Sequence, residues 1–277
     1  MISKSPIVIV GGHGKTGRRV DALLKETGFA TRPVSRSTHP SFDWNRPEGW
    51  ASAMEGASAA YVTFQPDLAV PGAAEAIAEL GRLAQAQGLE RIVLLSGRGE
   101  PGAARAEEAL KTCGLDWTIV RASWFNQNFS ESFLSDSIVA GEVALPAGEV
   151  REPFVDADDI AEVAVAALAS EGHANRLYEV TGPRALTFAE AVEEISRELG
   201  RSIRYTQLSP EAFRTGLEDM AVPEEMIALL EQLFTETLDG RNSAVTGGVQ
   251  EALGRPPRDF SDYVGKAAAS GAWSLER

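Results

Sequence analysis

The stretch PIVIVGGHGKTG, residues 6–17, decides the fold of this chain. It starts with an apolar run of strand length and continues with glycines at positions 11, 14 and 17, in a G-x-x-G-x-x-G spacing. Glycine permits a tight turn, the close approach of backbone to a pyrophosphate and the packing of helix on strand. The following helix N-terminus offers free N–H groups to phosphates. Gly11, Gly14 and Gly17 therefore predict a dinucleotide-binding turn that opens a βαβ unit, with a purely structural turn as the alternative.

Lys15 and Thr16 stand where this helix begins, and we predict that both contact phosphate. The alternative is that they are two solvated residues of the first turn. A P-loop is excluded, because that motif requires a glycine five positions before Gly14, where Ile9 stands.

Apolar runs of strand length alternate with segments of helical period through the first half of the chain. Further runs lie at 30–34, 59–64, 91–96 and 116–120, and helical segments at 15–26, 48–55, 72–87 and 102–113. This alternation is typical of βαβ units on a parallel sheet. It predicts an α/β fold, a Rossmann doubly wound parallel sheet.

The alternation becomes less regular after about residue 122. We expect helices at 124–134, 156–169, 187–199 and 211–238, the last interrupted by Pro223, and short strands at 177–180 and 203–207. No linker separates the two parts. We therefore predict a nucleotide-binding domain over residues 1–150 and a smaller C-terminal substrate lobe over residues 151–277, packed onto the first and partly interleaved with it.

Charge and composition exclude several classes of protein. The chain has 26 Lys and Arg residues against 40 Asp and Glu residues, a net charge of -14, so it lacks the basic field that nucleic acid requires. Its longest stretch without a charged residue, the eleven residues 56–66, is shorter than the roughly 18 that span a membrane. Cys113 is the only cysteine, so an intramolecular disulfide is impossible. These features predict a soluble, cytoplasmic protein with Cys113 in its core.

The second predicted strand is followed by a local concentration of positive charge, TRPVSRSTHP. NAD-specific sites place an acid there to hold the ribose, whereas NADP sites place an arginine there. No acid occurs between Glu26 and Asp43, so we assign Arg36 and Ser37 to the 2'-phosphate and predict NADP(H) as the preferred cofactor, with NAD(H) as the alternative. Asp43 could reach the adenine amino group, although a turn-forming or capping aspartate fits nearly as well.

Other polar and aromatic residues stand at strand ends, where open α/β sheets bind ligands. Thr63 and Phe64 end the run at 59–64 and Gln65 follows it, and we expect all three beside the ribose and substrate. Ser96 ends the run RIVLLS and is a candidate hydrogen-bond donor to cofactor or substrate, with a strand-ending serine as the alternative.

Aromatic residues follow the fifth run. Phe125, Phe129 and Phe133 would share one face of a helix, which indicates core packing more often than a cofactor wall. Trp124 and Phe125 are predicted near the cofactor, and Asn128 as an amide that clamps the cofactor carboxamide or a substrate oxygen.

With these residues in hand, the chain resembles the NmrA-like branch of the atypical short-chain dehydrogenases over nearly its whole length. GGHGKTGRRV is similar to that family's nucleotide loop, VSRST to its 2'-phosphate segment, and DWTIVRASWFNQNF to the segment that passes the nicotinamide, usually RPGWFMQNF. PFVDADDIAEVAVAAL and YEVTGPRALTFAEAVEEISRELGR are similar to later blocks of the family. The resemblance implies a Rossmann fold, a smaller substrate lobe and a cleft between them. It fixes the cofactor better than the reaction, since members reduce quinones or enones with NADPH, sense the NADP redox state, or modify aromatic natural products.

The proton donor of the wider superfamily, a Tyr four residues before a Lys, is absent. Residues Tyr61, Tyr178, Tyr205 and Tyr263 are followed at that spacing by Gln65, Gly182, Ser209 and Ala267. Near the expected nicotinamide end Ser96, Arg105 and Glu107 remain, and none has an ordinary pKa suited to donating a proton at pH 7. We therefore expect the substrate's protons to come from water or from its own hydroxyls.

Metal chemistry is disfavoured by spacing. The three histidines, His13, His39 and His173, share no ligand spacing. Asp156, Asp158 and Asp159 lack the glycine of a calcium loop, and we interpret them as a helix cap followed by acids of the first turn.

The leading hypothesis is an NADPH-dependent oxidoreductase acting on a small, flat carbonyl, quinone or aromatic substrate. Hydride transfer is the cofactor's chemistry, so loss of the Tyr/Lys pair does not forbid it. One alternative is a redox sensor that binds NADP without turnover and signals through a protein partner. Another is an oxygenase or tailoring enzyme of an aromatic natural product. Nucleic acid and membrane are not expected partners, and a homodimer is compatible with the sequence.

Overall fold

The computed structural model describes residues 5–275, and they fall into two compact units. The first unit is made of three stretches: residues up to Ala122, Ala157–Val180 and Gly247–Pro256. The second is made of Ser123–Asp156, Thr181–Thr246 and the residues from Pro257 onward. The chain thus enters the second unit well before the boundary that we expected after residue 150, and it returns to the first unit twice.

The first unit is built on a sheet of six strands, all parallel, in the order β2-β1-β3-β4-β5-β7. Its strands are Ile7–Val10 (β1), Thr31–Val34 (β2), Ala59–Val62 (β3), Arg91–Gly97 (β4), Asp116–Ala122 (β5) and Arg176–Val180 (β7). The chain moves outward from β1 in one direction to β2 and in the other to β3. The predicted α/β class and doubly wound parallel sheet are therefore confirmed.

Helices cover both faces of this sheet. They are Gly17–Glu26 (α1), Trp50–Met54 (α2), Ala73–Ala86 (α3), Pro101–Lys111 (α4), Ala157–Ala169 (α6) and Gly248–Leu253 (α10). Helix α3 packs between α2 and α4, whereas α6 packs against α1 and α10. Because side chains alternate along a strand, Val8 and Val10 of β1 join the core beneath α2, α3 and α4, together with Ile92 and Leu94 of β4.

The second unit combines a small parallel sheet with helices around an aromatic core. Its elements are Phe133–Ala140 (α5), Glu142–Leu145 (β6), Phe188–Glu198 (α7), Arg204–Gln207 (β8), Pro210–Asp219 (α8), Glu224–Gln232 (α9) and Phe260–Ala269 (α11). β6 pairs with β8. Phe129, Phe154, Phe188 and Phe260 are fully buried, with ring centroids 5.1–5.9 Å apart in the contacting pairs. Strand β6 and helices α10 and α11 were not predicted from the sequence.

The predicted helix at 124–134 is wrong. Phe125 is extended and bridges to Val155, with Asn126 N–H donating to Val155 O (2.8 Å) and Val155 N–H donating to Trp124 O (2.9 Å). These bonds join segments about thirty residues apart, which local periodicity does not detect. The expected aromatic stripe is therefore not on one helix face: Phe129 is buried, whereas Phe133 begins α5 and is 45% exposed.

Several smaller expectations hold. Asp158 and Asp159 lie in the first turn of α6, as predicted. Cys113 is buried in the core of the first unit. Pro223 separates α8 from α9, and α9 continues into a π-helical turn at Leu233–Thr237. Within residues 5–275 no helix has the length and apolar character needed to cross a bilayer.

Candidate functional site

The strand order of the first unit reverses at β1, so the carboxyl ends of β1 and β3 border the place where open α/β sheets bind ligands. Gly11 follows β1 with a positive φ of 76°. A Cβ at Gly11 would lie only 2.1 Å from Thr63 Oγ1, and the Thr63 hydroxyl donates to Val10 O at 3.1 Å. Thr63 therefore fixes the end of β1. Only glycine at position 11 leaves room for the Thr63 hydroxyl.

The loop itself is a tight cradle of backbone. Gly14 N–H donates to Gly11 O at 2.9 Å, which closes the turn. A Cβ at Gly17 would lie 2.3 Å from Gly11 O, and one at Gly12 would lie 2.5 Å from Pro33. A side chain at either position would push into the protein's own backbone or sheet edge. The glycines at positions 11 and 17 thus allow the close packing of loop and helix that we predicted from their spacing.

Helix α1 starts at this cradle, and the backbone N–H of Arg18 donates to Gly14 O at 3.1 Å. Thr16 is at the N-cap position and is 4% exposed, and its side chain makes no capping hydrogen bond. The first turn of α1, which lies wholly among the described residues, contains no acid. Lys15 is half-buried, and its carbonyl accepts from Arg19. The backbone N–H groups and the positive dipole end suit a pyrophosphate, so these residues fit a dinucleotide.

A second group of donors lies beyond β2. His13 Nδ1 is 3.2 Å from Ser35 Oγ, and Ser35 Oγ is 3.1 Å from Ser37 Oγ. Arg36 is exposed, and within residues 5–275 its guanidinium has no hydrogen bond or ion pair. The glycine loop and the VSRS segment therefore present a cationic, hydroxyl-rich surface of the kind that binds a phosphate. His13 was not among the predicted ligands, because only the structure shows that this residue of the glycine loop contacts Ser35.

The two arginines of the cationic segment differ in what they do. Arg32 donates to the backbone carbonyls of Ala53 and Glu55, at 2.9 and 2.8 Å, and so fastens β2 to the end of α2. The Arg36 guanidinium makes no such backbone contact among the residues that the structure describes.

Asp43 lies in a turn, where its Oδ1 accepts from Asn45 N–H (3.0 Å) and its carbonyl accepts from the Trp50 indole (2.8 Å). The turn-forming alternative is therefore present, and the adenine contact stays a prediction.

Beyond β3, Phe64 packs on Trp44 with ring centroids 4.4 Å apart, and Gln65 is exposed.

Ser96 is committed to a carboxylate. Its hydroxyl donates to Glu107 Oε1 at 2.6 Å, and Ser96 and Glu107 are 4% and 1% exposed. The structure thus brings together two of the residues that the sequence proposed for chemistry, in a buried bond that uses the hydroxyl proton of Ser96.

An arginine completes this buried cluster. Ser96, Arg121 and Glu179 are register partners on β4, β5 and β7, one residue before each strand ends. Arg121 binds both Glu107 oxygens, and it reaches Glu179 Oε1 at 2.8 Å. The hydrogen bond to Glu107 is the largest cause of a raised pKa for Arg121, so this cation stays charged. Buried charges persist when they are paired in this way.

The remaining predicted residues, Trp124, Phe125 and Asn128, belong to the second unit. Trp124 packs edge-on against Phe188 (5.7 Å) and against Phe234 (5.2 Å). Phe125 and Asn128 are half-buried. Their contacts with cofactor or substrate remain predictions.

A carboxyl pair at the sheet's carboxyl edge escaped the sequence analysis. Asp67 follows β3 and Glu100 follows β4, and a side-chain hydrogen bond joins them. Burial, followed by the charge of Asp67 and the bond to it, raises the pKa of Glu100 to about 8. A single Glu in the loop GRGEP gives no sequence signal of such a change.

Across residues 5–275, no cluster of three or more His, Cys, Asp or Glu side chains is arranged to hold a metal.

Comparison with known families agrees with this geometry. Residues 11–171, which include the glycine loop, match the NAD(P)H-binding family, and residues 104–264, more than half of the chain, match the NmrA-like family. The chain belongs to the NmrA-like family. The resemblance stated from the sequence is therefore confirmed.

Individual relatives are similar to this chain over most of their length. Prestalk A differentiation protein A of Dictyostelium discoideum is 28% identical, over 95% of this chain and 92% of its own. NAD(P)H azoreductase of Xenophilus azovorans is 28% identical, over 96% and 99%. The NADPH complex of an NADPH-dependent quinone oxidoreductase from Escherichia coli has the same fold, with a TM-score of 0.80 at 19% identity, over 95% of this chain and 99% of that one.

Proposed function

We propose that the protein is an NADPH-dependent oxidoreductase that reduces a small, flat quinone, carbonyl or azo-type aromatic substrate. The observation that carries this proposal is the glycine cradle between β1 and α1, beside the hydroxyl-rich group of His13, Ser35 and Ser37 and the exposed guanidinium of Arg36. The kinship with an NAD(P)H azoreductase and the fold of a quinone oxidoreductase support the reaction class.

The chain's own residues divide the work of binding. Gly11, Gly14 and Gly17 keep the backbone close enough to hold a pyrophosphate against the N–H groups of α1. Arg36 and Ser37 bind the 2'-phosphate and so select NADPH over NADH, with His13 beside them. When bound, the cofactor supplies a hydride to the substrate.

The enzyme works without the Tyr/Lys pair of the wider superfamily. Tyr61 lies in β3 with no exposed surface, and burial raises the pKa of its hydroxyl, which makes it a poor acid at neutral pH. Tyr263 is also buried, and its hydroxyl donates to Ser130 Oγ at 2.8 Å. A quinone tolerates this loss well, because its reduced oxygens can be protonated by water.

The test is NADPH oxidation by the purified protein with a quinone, an enone and an azo dye, each with a matched NADH reaction. We expect turnover with at least one acceptor and a lower KM for NADPH than for NADH. Cofactor binding is measured separately, as the shift in melting temperature. Tight NADPH binding without turnover on any acceptor would replace this proposal with a redox sensor, and oxygen uptake during turnover would replace it with an oxygenase.

The proposal includes a cytoplasmic location, which a single buried thiol and a supply of NADPH both suit. It also allows a homodimer, which size-exclusion chromatography with light scattering would test.

A further inference from the structure

We propose that His13 is a further specificity-determining residue, which in its charged form helps to bind the 2'-phosphate of NADP(H). The affinity for NADP(H), and not the affinity for NAD(H), then falls as pH rises. This inference deepens the proposed function and rests on it, since it concerns the same cofactor site. The sequence analysis considered His13 only in connection with metal binding.

His13 lies between the two segments that form the phosphate-binding surface. It belongs to the glycine loop, and its ring Nδ1 is 3.2 Å from Oγ of Ser35, the residue that follows β2. The preceding residue also lies against β2, because a Cβ at Gly12 would be only 2.5 Å from Pro33. The backbone packing of the loop therefore places a side chain at position 13 beside the VSRS segment.

Two serine hydroxyls continue from the histidine ring. Ser35 Oγ is 3.1 Å from Ser37 Oγ, and it also accepts the backbone N–H of Ser37 at 3.3 Å. A charged imidazole carries a proton on both nitrogens, so its Nδ1–H donates to Ser35. The Ser35 hydroxyl then donates to Ser37, whose own proton remains for a phosphate oxygen. The charged form of His13 thus arranges the three side chains as a row of donors, which suits an anion.

The conformation of the glycine loop does not depend on the His13 side chain. The side chain is exposed, and among residues 5–275 Ser35 is its only hydrogen-bond partner. The turn is closed by backbone instead, through the hydrogen bond from Gly14 N–H to Gly11 O at 2.9 Å. The second ring nitrogen, Nε2, therefore remains available to a ligand.

The neighbouring charges make protonation of His13 sensitive to a bound phosphate. In the loop, at the start of α1 and beyond β2, the charged residues nearest to it in the sequence are cations: Lys15, Arg18 and Arg36. Like charges disfavour a protonated histidine, whereas a phosphate dianion favours it. Binding of the 2'-phosphate therefore draws one proton from solution onto the His13 ring, and no covalent bond of the cofactor changes.

The acids of the adjoining elements are paired elsewhere. Asp21 of α1 and Asp158 of α6 each bind a basic side chain at 2.8 Å. Asp43, beyond β2, accepts the backbone N–H of Asn45 at 3.0 Å. In the part of the chain that the structure describes, no carboxylate bonds to the His13 ring. The anion that can stabilise its charged form is thus the ligand itself.

The first test is isothermal titration calorimetry with NADP⁺ and with NAD⁺, in the absence of substrate. Between about pH 6.5 and 8.5 a phosphate monoester remains largely a dianion, whereas histidine loses its charge. In the wild type we expect the affinity for NADP⁺ to fall about fivefold over this range, the difference between a charged and a neutral hydrogen bond. The affinity for NAD⁺ should stay constant.

Two substitutions of His13 separate the effect of charge from that of shape. His13→Asn keeps a donor for Ser35 without a charge, so NADP⁺ should bind at every pH as weakly as it binds the wild type at about pH 8.5. His13→Lys keeps a positive charge throughout, so the affinity for NADP⁺ should stay high over the whole range. His39→Gln is the matched control, because His39 is an exposed histidine of the same cationic segment that bonds to neither serine. It should keep the pH dependence of the wild type.

The second readout is proton uptake, measured by repeating the calorimetry at about pH 7.5 in buffers of different ionisation enthalpy. The wild type should take up more protons on binding NADP⁺ than His13→Asn does. The difference isolates His13, because the phosphate makes the same contribution in both proteins. A merely structural role for His13 would change the melting temperature of the free protein and leave proton uptake as it is in the wild type.

The outcomes separate this inference from the proposed function. If the affinity for NADP⁺ depends on pH equally in the wild type and in His13→Asn, the role of His13 is wrong and the preference for NADPH stands. Equal affinities of the wild type for NADP⁺ and NAD⁺ would overturn the 2'-phosphate site, and the role of His13 with it. Because no substrate is present, neither result depends on turnover.

Discussion

The Ser96 hydroxyl donates its proton to Oε1 of Glu107 at 2.6 Å, in a position from which water is almost excluded. A serine near the carboxyl end of a central strand in a nucleotide-binding sheet is an obvious candidate for a catalytic role. Here the hydrogen bond joins Ser96 to the ion pair between Glu107 and Arg121. The main role of the Ser96 side chain is therefore to stabilise the carboxyl ends of β4 and β5.

Ser96→Ala should therefore be mainly a stability variant. Losing a hydrogen bond to a charged group costs about 1.5–3 kcal/mol, and we expect the free energy of unfolding to drop by that amount. Turnover should fall less than tenfold. Urea denaturation measures the free energy of unfolding, and steady-state kinetics measures turnover. Ser52→Ala is the control, because the hydroxyl of exposed Ser52 donates to the nearby carbonyl of Gly49. A loss of about ten-thousand-fold in kcat with the fold intact would make Ser96 an essential catalytic group.

Arg36→Ala should reduce the preference for NADPH over NADH. A charge-assisted hydrogen bond contributes roughly 1.5–3 kcal/mol, which corresponds to a ten- to hundredfold change in NADPH affinity. NADH affinity should not change. Arg32→Ala is the matched control, because it removes a guanidinium from the same segment but one that binds the carbonyls of Ala53 and Glu55. We expect it to lower the melting temperature while leaving the ratio of the two cofactor affinities as in the wild type. Equal melting shifts with NADPH and NADH in the wild type would contradict the assignment of Arg36.

Gly17→Ala should disrupt the nucleotide cradle. The new Cβ would meet the backbone carbonyl of Gly11 at 2.3 Å, and no flexible side chain can move to relieve this contact. Such overpacking typically costs 1–3 kcal/mol, and we expect the stabilisation by NADPH to be lost as well. Gly216→Ala is the control, because Gly216 lies in α8 with open space around its Cα, where alanine should stabilise the helix by about 0.5–1 kcal/mol. Calorimetry with and without NADPH reads both effects.

Stability should depend on pH through Glu100. Its pKa is about 8 in the folded protein and near 4.3 in an unfolded chain, so between these values the folded state binds the extra proton. The free energy of unfolding of the wild type should therefore decrease as pH rises from about 5 to 8. Glu100→Gln lacks this dependence, so the wild type should lose stability relative to the variant across that window. Parallel pH curves for the two proteins would show that Glu100 has no raised pKa.

The sequence predicted the sheet well, because buried parallel strands such as PIVIV and RIVLL are nearly continuous apolar runs with turns at both ends. It failed at 124–134, where backbone bonds to Val155 override a helical spacing of phenylalanines. It also missed Glu100, because this residue is brought near Asp67 only where Gly102 lets α4 begin against the turn after β3. Contacts between segments that are far apart in the chain were therefore the features that the local sequence pattern could not predict.

The return of residues 247–256 to the first unit has a consequence for biosynthesis. Gly248 lies so close to β7 that a Cβ there would be 2.1 Å from Glu179 O, and Arg255 pairs with the fully buried Asp159 of α6. A nascent chain that has emerged only as far as α6 carries this carboxylate without Arg255. The nucleotide-binding unit is thus completed only after residues 247–256 have left the ribosome, long after its glycine loop has been made.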